Sequence, residues 1–431
     1  MTARQSPIRP ARRKPRDSAS SLRLAYLSCD FGVPARGQSG KSVHLRETVA
    51  ALARLGHEIE VFSPAVEPGS QPPEGVEMHP TAPSGVAGDV LEVLADELAE
   101  PPHLFKELRG IVSSEYVQRA LWARLSTFRP QVIYERHALF SYAGLELARR
   151  LRVPLLLEVN APLPLEQRKY RQLVLPRTAA EVERRVLTGA DAVLAVSEAL
   201  AEHVAALGVR RERITVLPNA ADVERFSPAV SGREVRERYG LDGKRVVGFV
   251  GTLKPWHDLD TLLAACERLR EQDPAVHLLV VGHGPRFDEV RERGGSGVTC
   301  VGEVAHERVP AFLAAMDVVV SPYAANGDHY FSPLKLFEAM AMGKPVVGAR
   351  VGQVAEMVRD GENGVLYEPG DERDLAVRLA AVLDRPDWAA ALGTAAGRFV
   401  RTRRTWDGNA ATIASLARSL MDVDGRRRRA P

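Results

Sequence analysis

The chain of 431 residues is poor in cysteine and lacks any long apolar run. Its three cysteines, Cys29, Cys266 and Cys300, lie far apart and match no metal-ligand spacing, which indicates a reducing compartment. A helix that spans a bilayer needs roughly 20 consecutive apolar residues, and no segment supplies them. These absences favour a cytoplasmic protein that does not cross a membrane.

A large excess of charge of one sign is also missing. The net charge is only +3, and the excess is concentrated in two tails, which argues against a dedicated nucleic-acid binder. Residues 1–21 are basic, rich in proline and serine, and lack the apolar segment of a secretory signal, so we predict a disordered tail. With the arginines at 426–429, this tail offers a peripheral contact to an anionic membrane surface, although a solvated tail is the simpler interpretation.

Two common kinds of site find no support in the sequence. No Ser-His-Asp or Cys-His arrangement has a motif around it, so a nucleophilic hydrolase is not indicated. The glycine-rich turn after the first strand does not read G-x-G-x-x-G, so a dinucleotide site is not indicated either.

Short apolar runs alternate with amphipathic segments along nearly the whole chain, which is typical of βαβ units around a buried parallel sheet. A single core stops growing at about 250–300 residues, so we predict two doubly wound α/β domains in tandem: residues 22–222 and 245–400, joined by a linker at 223–244. The predicted strands of the two domains are 22–28, 58–64, 131–136, 155–160, 192–197 and 214–219, then 246–251, 277–282, 298–302, 318–323, 345–349 and 364–369.

Two strand ends carry residues suited to an anion. The turn that leads through Gly40 into a helix lets backbone amides approach a phosphate or a sugar. In the second half, Gly251 is followed by Lys254 and His257, ahead of a helix that Asp258 could cap. The plainer alternatives are a tight connection at Gly40 and a solvated Lys254.

The segment 321–349 is the richest in candidate site residues. We predict a helix over 334–342, with Ser332 as its N-cap, Pro333 at its first position and Gly343 at its end. The amides of Leu334 and Lys335 would then point at an anion in the cleft.

Glu338 follows one turn later on the same helix, where its carboxylate could accept hydrogen bonds from two ribose hydroxyls. The plainer alternative for Glu338 is an exposed helix position.

These motifs carry a family resemblance. The segments VGFVGTLKPWH, LLVVGHGP, VLPNAAD and FEAMAMGKPVVGARVGQVAEMVRDGENGVLYEPGD resemble the retaining glycosyltransferases of family 4, which have the two-domain GT-B fold, and the likeness runs over residues 22–406. The resemblance implies that the second domain binds a nucleoside-diphosphate sugar and the first domain binds the acceptor. It implies the ribose at Glu338, the diphosphate at Gly251, Lys254, Leu334 and Lys335, the nucleotide near Gly282, Gly284 and the backbone around Val304, and Gly40 near the donor from the first domain.

The chain departs from the family pattern at several positions. Tyr330 stands where the family has the first of two paired glutamates, so Asp328 is a candidate to replace that carboxylate. Thr252 and His257 replace an arginine and a lysine, which leaves the positive charge for the diphosphate to Lys254 and Lys335. Asn160 replaces the histidine that often follows the fourth strand.

The resemblance also implies a mechanism without a strong protein base, in which the departing diphosphate helps to deprotonate the acceptor. We therefore expect neither a cofactor nor a metal ion, and we expect Glu135, Arg136, His137 and Asn160 to help hold the acceptor. The GT-B plan further implies that residues 401–431 contain a helix that crosses back onto the first domain, followed by the basic tail.

Two other functions share this architecture. They are a nucleotide-sugar epimerase and a degenerate, non-catalytic glycosyltransferase-like binding subunit, the latter suggested by the missing first glutamate. Within the transferase hypothesis, the base and sugar of the donor stay open. Among acceptors, a polysaccharide, a lipid-linked glycan and a natural product stay open, in what the composition suggests is a bacterial protein.

Overall fold

The computed structural model describes residues 21–429, except positions 35, 36, 38, 65, 67–71, 84 and 102. Residues 1–20 of the predicted tail therefore lie outside the described residues, as do the side chains at 87 and 423–429. The described residues form two parallel sheets with helices packed on both. The predicted α/β class, with two doubly wound domains, is confirmed.

The first sheet has seven parallel strands in the order β3-β2-β1-β4-β5-β6-β7 among the described residues. Their bounds are β1 Arg23–Ser28, β2 Glu58–Ser63, β3 Val76–Pro80, β4 Val132–Arg136, β5 Leu155–Val159, β6 Ala192–Ala195 and β7 Ile214–Val216. All but β3 fall on the predicted runs. The sequence does not predict β3, because this edge strand buries only Val76 and carries polar residues beyond it.

The helices of the first domain are α1 Gly40–Arg54, α2 Val86–Glu97, α3 Leu104–Phe128, α4 Ala143–Leu151, α5 Leu163–Tyr170, α6 Pro176–Gly189 and α7 Glu198–Ala206. Helix α1 begins with the hydroxyl of Ser39 accepting from the amide of Ser42. It ends before Gly56, whose φ of 88° is the left-handed conformation expected just past a helix.

The second sheet has six parallel strands in the order β10-β9-β8-β11-β12-β13, and all of them fall on predicted runs. Their bounds are β8 Arg245–Val250, β9 Val276–Val281, β10 Val298–Gly302, β11 Val318–Ser321, β12 Val346–Ala349 and β13 Val365–Tyr367. The strand order reverses between β8 and β11. At such a switch point the loops after the two strands part and leave a crevice for a ligand.

The helices associated with this sheet are α8 Arg233–Tyr239, α9 Leu259–Gln272, α10 Phe287–Gly294, α11 Val309–Ala315, α12 Leu334–Ala341, α13 Gly352–Met357, α14 Glu372–Leu383 and α15 Pro386–Arg403. The last helix, α16 Trp406–Arg429, follows them. None of the helices in the described part of the chain combines the length and apolar character that a bilayer crossing requires.

The segment 223–244 differs from the predicted linker. It contains α8, and its residues Phe226, Val235 and Leu241 are buried in the hydrophobic core of the second domain. A charged, glycine-containing sequence is typical of a linker when its few apolar residues are exposed. Here those residues are buried, so the segment is part of the second domain.

Helix α16 packs on the first domain although the chain enters it from the second. Trp406, Ile413 and Ala414 are buried in the same core as Leu45 and Val49 of α1. The chain therefore crosses between the domains twice, near 221 and near 405, where Ala221 and Thr405 form a parallel bridge.

Candidate active site

The first turns of helices α1 and α12 face each other across the cleft. A Cβ atom added to Gly40 would lie 3.3 Å from Cδ1 of Leu334, so a larger residue at 40 would press on the start of α12. The N-terminus of a helix carries a partial positive charge and free amides. Two such ends therefore converge on one place, which suits an anion such as a diphosphate.

The predicted role of Ser332 as the cap of α12 is wrong. The N-cap is Pro333, whose side chain makes no capping hydrogen bond. The hydroxyl of Ser332 instead accepts from the amide of Asn219, 2.8 Å away, and donates to the side chain of Gln353. Within the described part of the chain, the first turn of α12 thus has no capping side chain, and it faces the cleft.

Lys335 is tied to His257 at the base of the crevice. Nδ1 of His257 lies 2.7 Å from the carbonyl oxygen of Thr252, and because a carbonyl only accepts, Nδ1 carries the ring proton. Nε2 is then an acceptor for the Lys335 amine, 2.6 Å away. The amine lies 4.5 Å from the ring centroid of Phe249, an apolar setting for a cation.

Burial sets the protonation of this pair. It lowers the pKa of Lys335 well below the usual value for a lysine. Burial, followed by the neighbouring lysine charge, also lowers the pKa of His257 well below its usual value. His257 is therefore a neutral hydrogen-bond acceptor that orients Lys335. An anion bound beside Lys335 would favour the charged form of its amine.

Three of the four predicted donor glycines lie where a side chain would be strained or would collide with its neighbours. Gly251 has φ of 138°, and a Cβ there would lie 3.2 Å from the Lys335 amine. A Cβ on Gly282 would lie 2.1 Å from the carbonyl oxygen of Gly251, and one on Gly284 would lie 2.7 Å from the amide of Leu253. These glycines therefore shape the loop after β8 above Lys335.

Two further predicted positions border this loop. Lys254 is half-buried, and its amine lies 6.0 Å from the ring centroid of Trp256. Val304, just after β10, is half-buried against the core of the second domain. Asp258 caps α9 as predicted, since its carboxylate accepts from the amide of Thr261.

Glu338 is buried one turn into α12, so the exposed alternative does not hold. Oε1 of its carboxylate lies 2.7 Å from Nε2 of His306. His306 in turn contacts Arg225, and Arg225 pairs with Glu47 of α1. The sequence alone does not predict these three partners, His306, Arg225 and Glu47.

The loop before α12 is bonded to helix α5 of the first domain. Lys169 donates to Asp328 over 2.7 Å, and the hydroxyl of Tyr330 donates to Glu166 over 3.1 Å. The rings of Tyr170 and Trp256 meet edge to face at 5.5 Å. Tyr330 stands at the position of the missing family glutamate. It therefore contacts a carboxylate, that of Glu166, from the opposite side of the cleft.

The structure separates the predicted acceptor residues at the end of β4, Glu135, Arg136 and His137. Glu135 is buried beside α4, where the hydroxyl of Ser141 donates to it, and burial raises its pKa to about 7. His137 is buried too, and burial followed by the charge of His203 lowers its pKa to about 4.

Arg136 and Asn160 instead converge on Glu158, a buried carboxylate that the sequence analysis does not single out. Arg136 donates to it over 2.9 Å, and Asn160 and Tyr134 donate to it as well. Burial alone would raise the pKa of Glu158, but the charges of His44 and Arg136, with the hydrogen bonds from His44 and Tyr134, outweigh it and lower the pKa.

A buried chain of polar groups joins this carboxylate to the loop before α12. Nε2 of His44 lies 2.9 Å from Glu158, and its Nδ1 donates to the side chain of Asn219 over 2.6 Å. Asn219 in turn donates to the carbonyl oxygen of Ser332 over 2.6 Å. In the sequence, the feature that could have indicated Glu158 is its place as the one charged residue of the apolar strand LLLEV.

Two family descriptions match the chain: Glycosyltransferase Family 4 over residues 39–225, and Glycosyl transferases group 1 over residues 244–385. The chain belongs to glycosyltransferase family 4.

Curated relatives support this assignment. This glycosyltransferase is 28% identical over 440 residues to the D-inositol 3-phosphate glycosyltransferase of Segniliparus rotundus, covering 94% of this chain and 91% of the relative. It is 28% identical to the GDP-mannose-dependent alpha-mannosyltransferase of Mycobacterium tuberculosis, covering 81% and 85%.

A solved structure supports the fold. The HepE protein of Anabaena, determined in complex with UDP-glucose, superposes with a TM-score of 0.68 at 21% identity, covering 92% of this chain and all of that one. This likeness confirms the GT-B arrangement of the glycosyltransferase.

The buried pair of Arg136 and Glu158 provides a stability test of the first domain. Removing one partner of a buried pair typically costs about 3–5 kcal/mol, and Glu158 keeps other partners, so we expect Arg136→Met to cost the glycosyltransferase about 3 kcal/mol. That cost lowers the melting temperature by roughly 6–12 °C. The control is Arg185→Met, which removes an exposed ion pair of α6. Equal melting temperatures for the two variants would show that the pair of Arg136 and Glu158 does not stabilise the first domain.

Proposed function

We propose that this glycosyltransferase moves a hexose-type sugar from a nucleoside-diphosphate sugar to a hydroxyl group of its acceptor, with retention at the anomeric carbon. The observation that supports the donor site most strongly is the meeting of two hydrogen-bond donors at one edge: the first turn of α12, which has no capping side chain among the described residues, and the amine of Lys335, which His257 holds beside it. Glu338 lies on the same helix, one turn further on.

The first turn of α12 and Lys335 would stabilise the negative charge that develops on the leaving diphosphate. Lys254 adds a second cation from the loop after β8. Preorganised donors of this kind act most strongly where water is excluded. The contacts between α5 and the loop before α12 close one side of the cleft, which would limit hydrolysis of the donor.

The proposal requires no protein base at the reacting carbon. Glu135, a predicted acceptor residue whose pKa burial raises to about 7, lies buried against Gly144 of α4. In the retaining reaction, the departing diphosphate receives the proton of the acceptor hydroxyl. The chain's own contribution is then positioning of both substrates and stabilisation of charge.

We also propose that the reaction needs no metal ion. Among the described residues, one group has the geometry to hold a metal, namely Glu60, Glu77 and His79. Arg124 already donates to both of these carboxylates. The group lies on β2 and β3 and is not part of the donor edge.

The names of the relatives define the panel for a first experiment. Thermal shift with UDP, GDP, ADP and their glucose and mannose derivatives identifies the donor, since a ligand at a hundred times its dissociation constant stabilises a protein by about 2.7 kcal/mol. Release of the nucleoside diphosphate is then followed with phosphorylated cyclitols, lipid-linked glycans and oligosaccharides as acceptors. Proton NMR of the product gives the anomeric configuration. Failure of every nucleotide to bind would sink the proposal, and binding without turnover would favour the degenerate binding subunit.

Nucleotide binding should weaken as the pH rises. Since burial lowers the pKa of free Lys335 and a diphosphate favours the charged amine, binding takes up a proton wherever the free amine is neutral. We expect the affinity to fall by up to about tenfold per pH unit in that range. Calorimetry from about pH 6 to pH 9 measures this dependence. The Lys335→Met variant should lose it, and a dependence that survives in this variant would contradict the role of Lys335.

A further inference from the structure

Glu338 is held in place by an imidazole on its protein side. Nε2 of His306 lies 2.7 Å from Oε1 of Glu338, and each side chain is only 9% exposed. His306 belongs to a short turn after β10, 32 residues before Glu338 in the chain. One carboxylate oxygen of Glu338 is therefore engaged by the protein, and the rotation of the carboxylate is restricted.

The neighbour of His306 determines which ring nitrogen carries the proton. Nδ1 of His306 lies 3.2 Å from Nη1 of Arg225. A guanidinium group only donates hydrogen bonds, so Nδ1 must be the acceptor. The proton of the neutral ring is then on Nε2, where it points at Glu338.

Arg225 is itself fixed by the first domain. Its Nη1 lies 2.8 Å from the carboxylate of Glu47 on α1, and its Nη2 lies 3.3 Å from Asp222. Glu47 is buried and 178 residues from Arg225 in the chain. The four side chains therefore form one connection from α1 of the first domain to α12 of the second.

We propose that His306 is a positioning residue for the donor, which orients the carboxylate of Glu338 toward the ribose hydroxyls through a tautomer fixed by Arg225 and Glu47. The proposal rests on the proposed function, in which Glu338 binds the ribose. It adds that the ribose contact depends on α1 of the first domain. Hydrogen bonds to a charged group that is held in place contribute about ten- to a hundred-fold each to affinity.

The test compares a nucleotide with and without its ribose hydroxyls. UDP, GDP and ADP are titrated into the full chain, and the tightest of them is compared with its 2′,3′-dideoxy counterpart. We expect the wild-type chain to prefer the ribonucleotide at least tenfold, and His306→Leu to lose most of this preference. His306→Gln should retain it in part, because the glutamine amide can donate from the position of Nε2. The matched control is His277→Leu, a half-buried histidine that bonds Thr299 outside the cleft.

The outcomes separate the two claims. A wild-type chain without a preference overturns the ribose role of Glu338 and with it the proposed donor site. A clear wild-type preference that His306→Leu retains overturns the positioning role alone. Glu47→Gln, made at the far end of the connection in the other domain, should reduce the preference several-fold. It also tests the proposal if His306→Leu fails to fold, and an unchanged preference in Glu47→Gln would then overturn it.

Discussion

Replacing Glu338 by alanine is expected to weaken nucleoside-diphosphate binding about a thousand-fold, which corresponds to about 4 kcal/mol. Two ribose hydroxyls would lose a charged acceptor, and each such hydrogen bond contributes about 1.5–3 kcal/mol. Turnover at a donor concentration below saturation should fall by a similar factor. Calorimetry with the nucleotide, and release of the diphosphate from the donor sugar, measure the two effects.

The matched control for this variant is Glu362→Ala, an exposed glutamate in the loop before β13. It should bind the nucleotide as tightly as the wild-type chain does. A Glu338→Ala variant that binds within threefold of this control would show that the ribose is held elsewhere.

Reversing the charge of Lys335 is expected to reduce turnover more than a thousand-fold. Removing one donor from an oxyanion site costs about a hundred- to a thousand-fold, and Lys335→Glu adds repulsion of the diphosphate in an apolar setting. The turnover of Lys335→Met should fall by a factor nearer the lower limit of this range, because this variant only removes the attraction between the amine and the diphosphate. Initial rates of diphosphate release at saturating donor give the comparison.

Lys244→Glu is the control for this charge reversal. Lys244 precedes β8 at the amino end of the sheet, opposite the edge that carries the candidate site. If Lys335→Glu and Lys244→Glu were equally active, Lys335 would have no part in the reaction.

Much of the fold follows from the order of apolar and amphipathic segments along the chain. The predicted strands agree with the structure because parallel strands covered on both faces need continuous apolar runs, such as VVGFV in β8. Edge strand β3 is not covered in this way, so its sequence has no comparable signal. The segment 223–244 was predicted as a linker, but three scattered apolar residues are enough to attach it to the core of the second domain.

The candidate site is predictable only where its residues are neighbours in sequence. Leu334, Lys335 and Glu338 share one helix, so helix geometry alone brings them together. The assignment of Ser332 as a cap failed because Asn219, 113 residues away, takes up its hydroxyl. The spacing of residues near a helix start cannot predict a hydrogen-bond partner so distant in the chain.

The connection to Glu338 was missed for the same reason, since His306 and Arg225 come from separate turns of the chain. The carboxylate of Glu166 reaches Tyr330 from the opposite domain, across 164 residues. Each contact depends on how two finished domains meet. Sequence patterns predict the domains but not the groups that face each other between them.

The most direct test of the proposed donor site is a crystal structure of the full chain with the tightest-binding nucleoside diphosphate. We predict that phosphate oxygens lie within hydrogen-bond distance of the Leu334 and Lys335 amides at the start of α12, and that both ribose hydroxyls donate to Glu338. A diphosphate bound away from the first turn of α12, with Glu338 contacting His306 alone, would contradict the account.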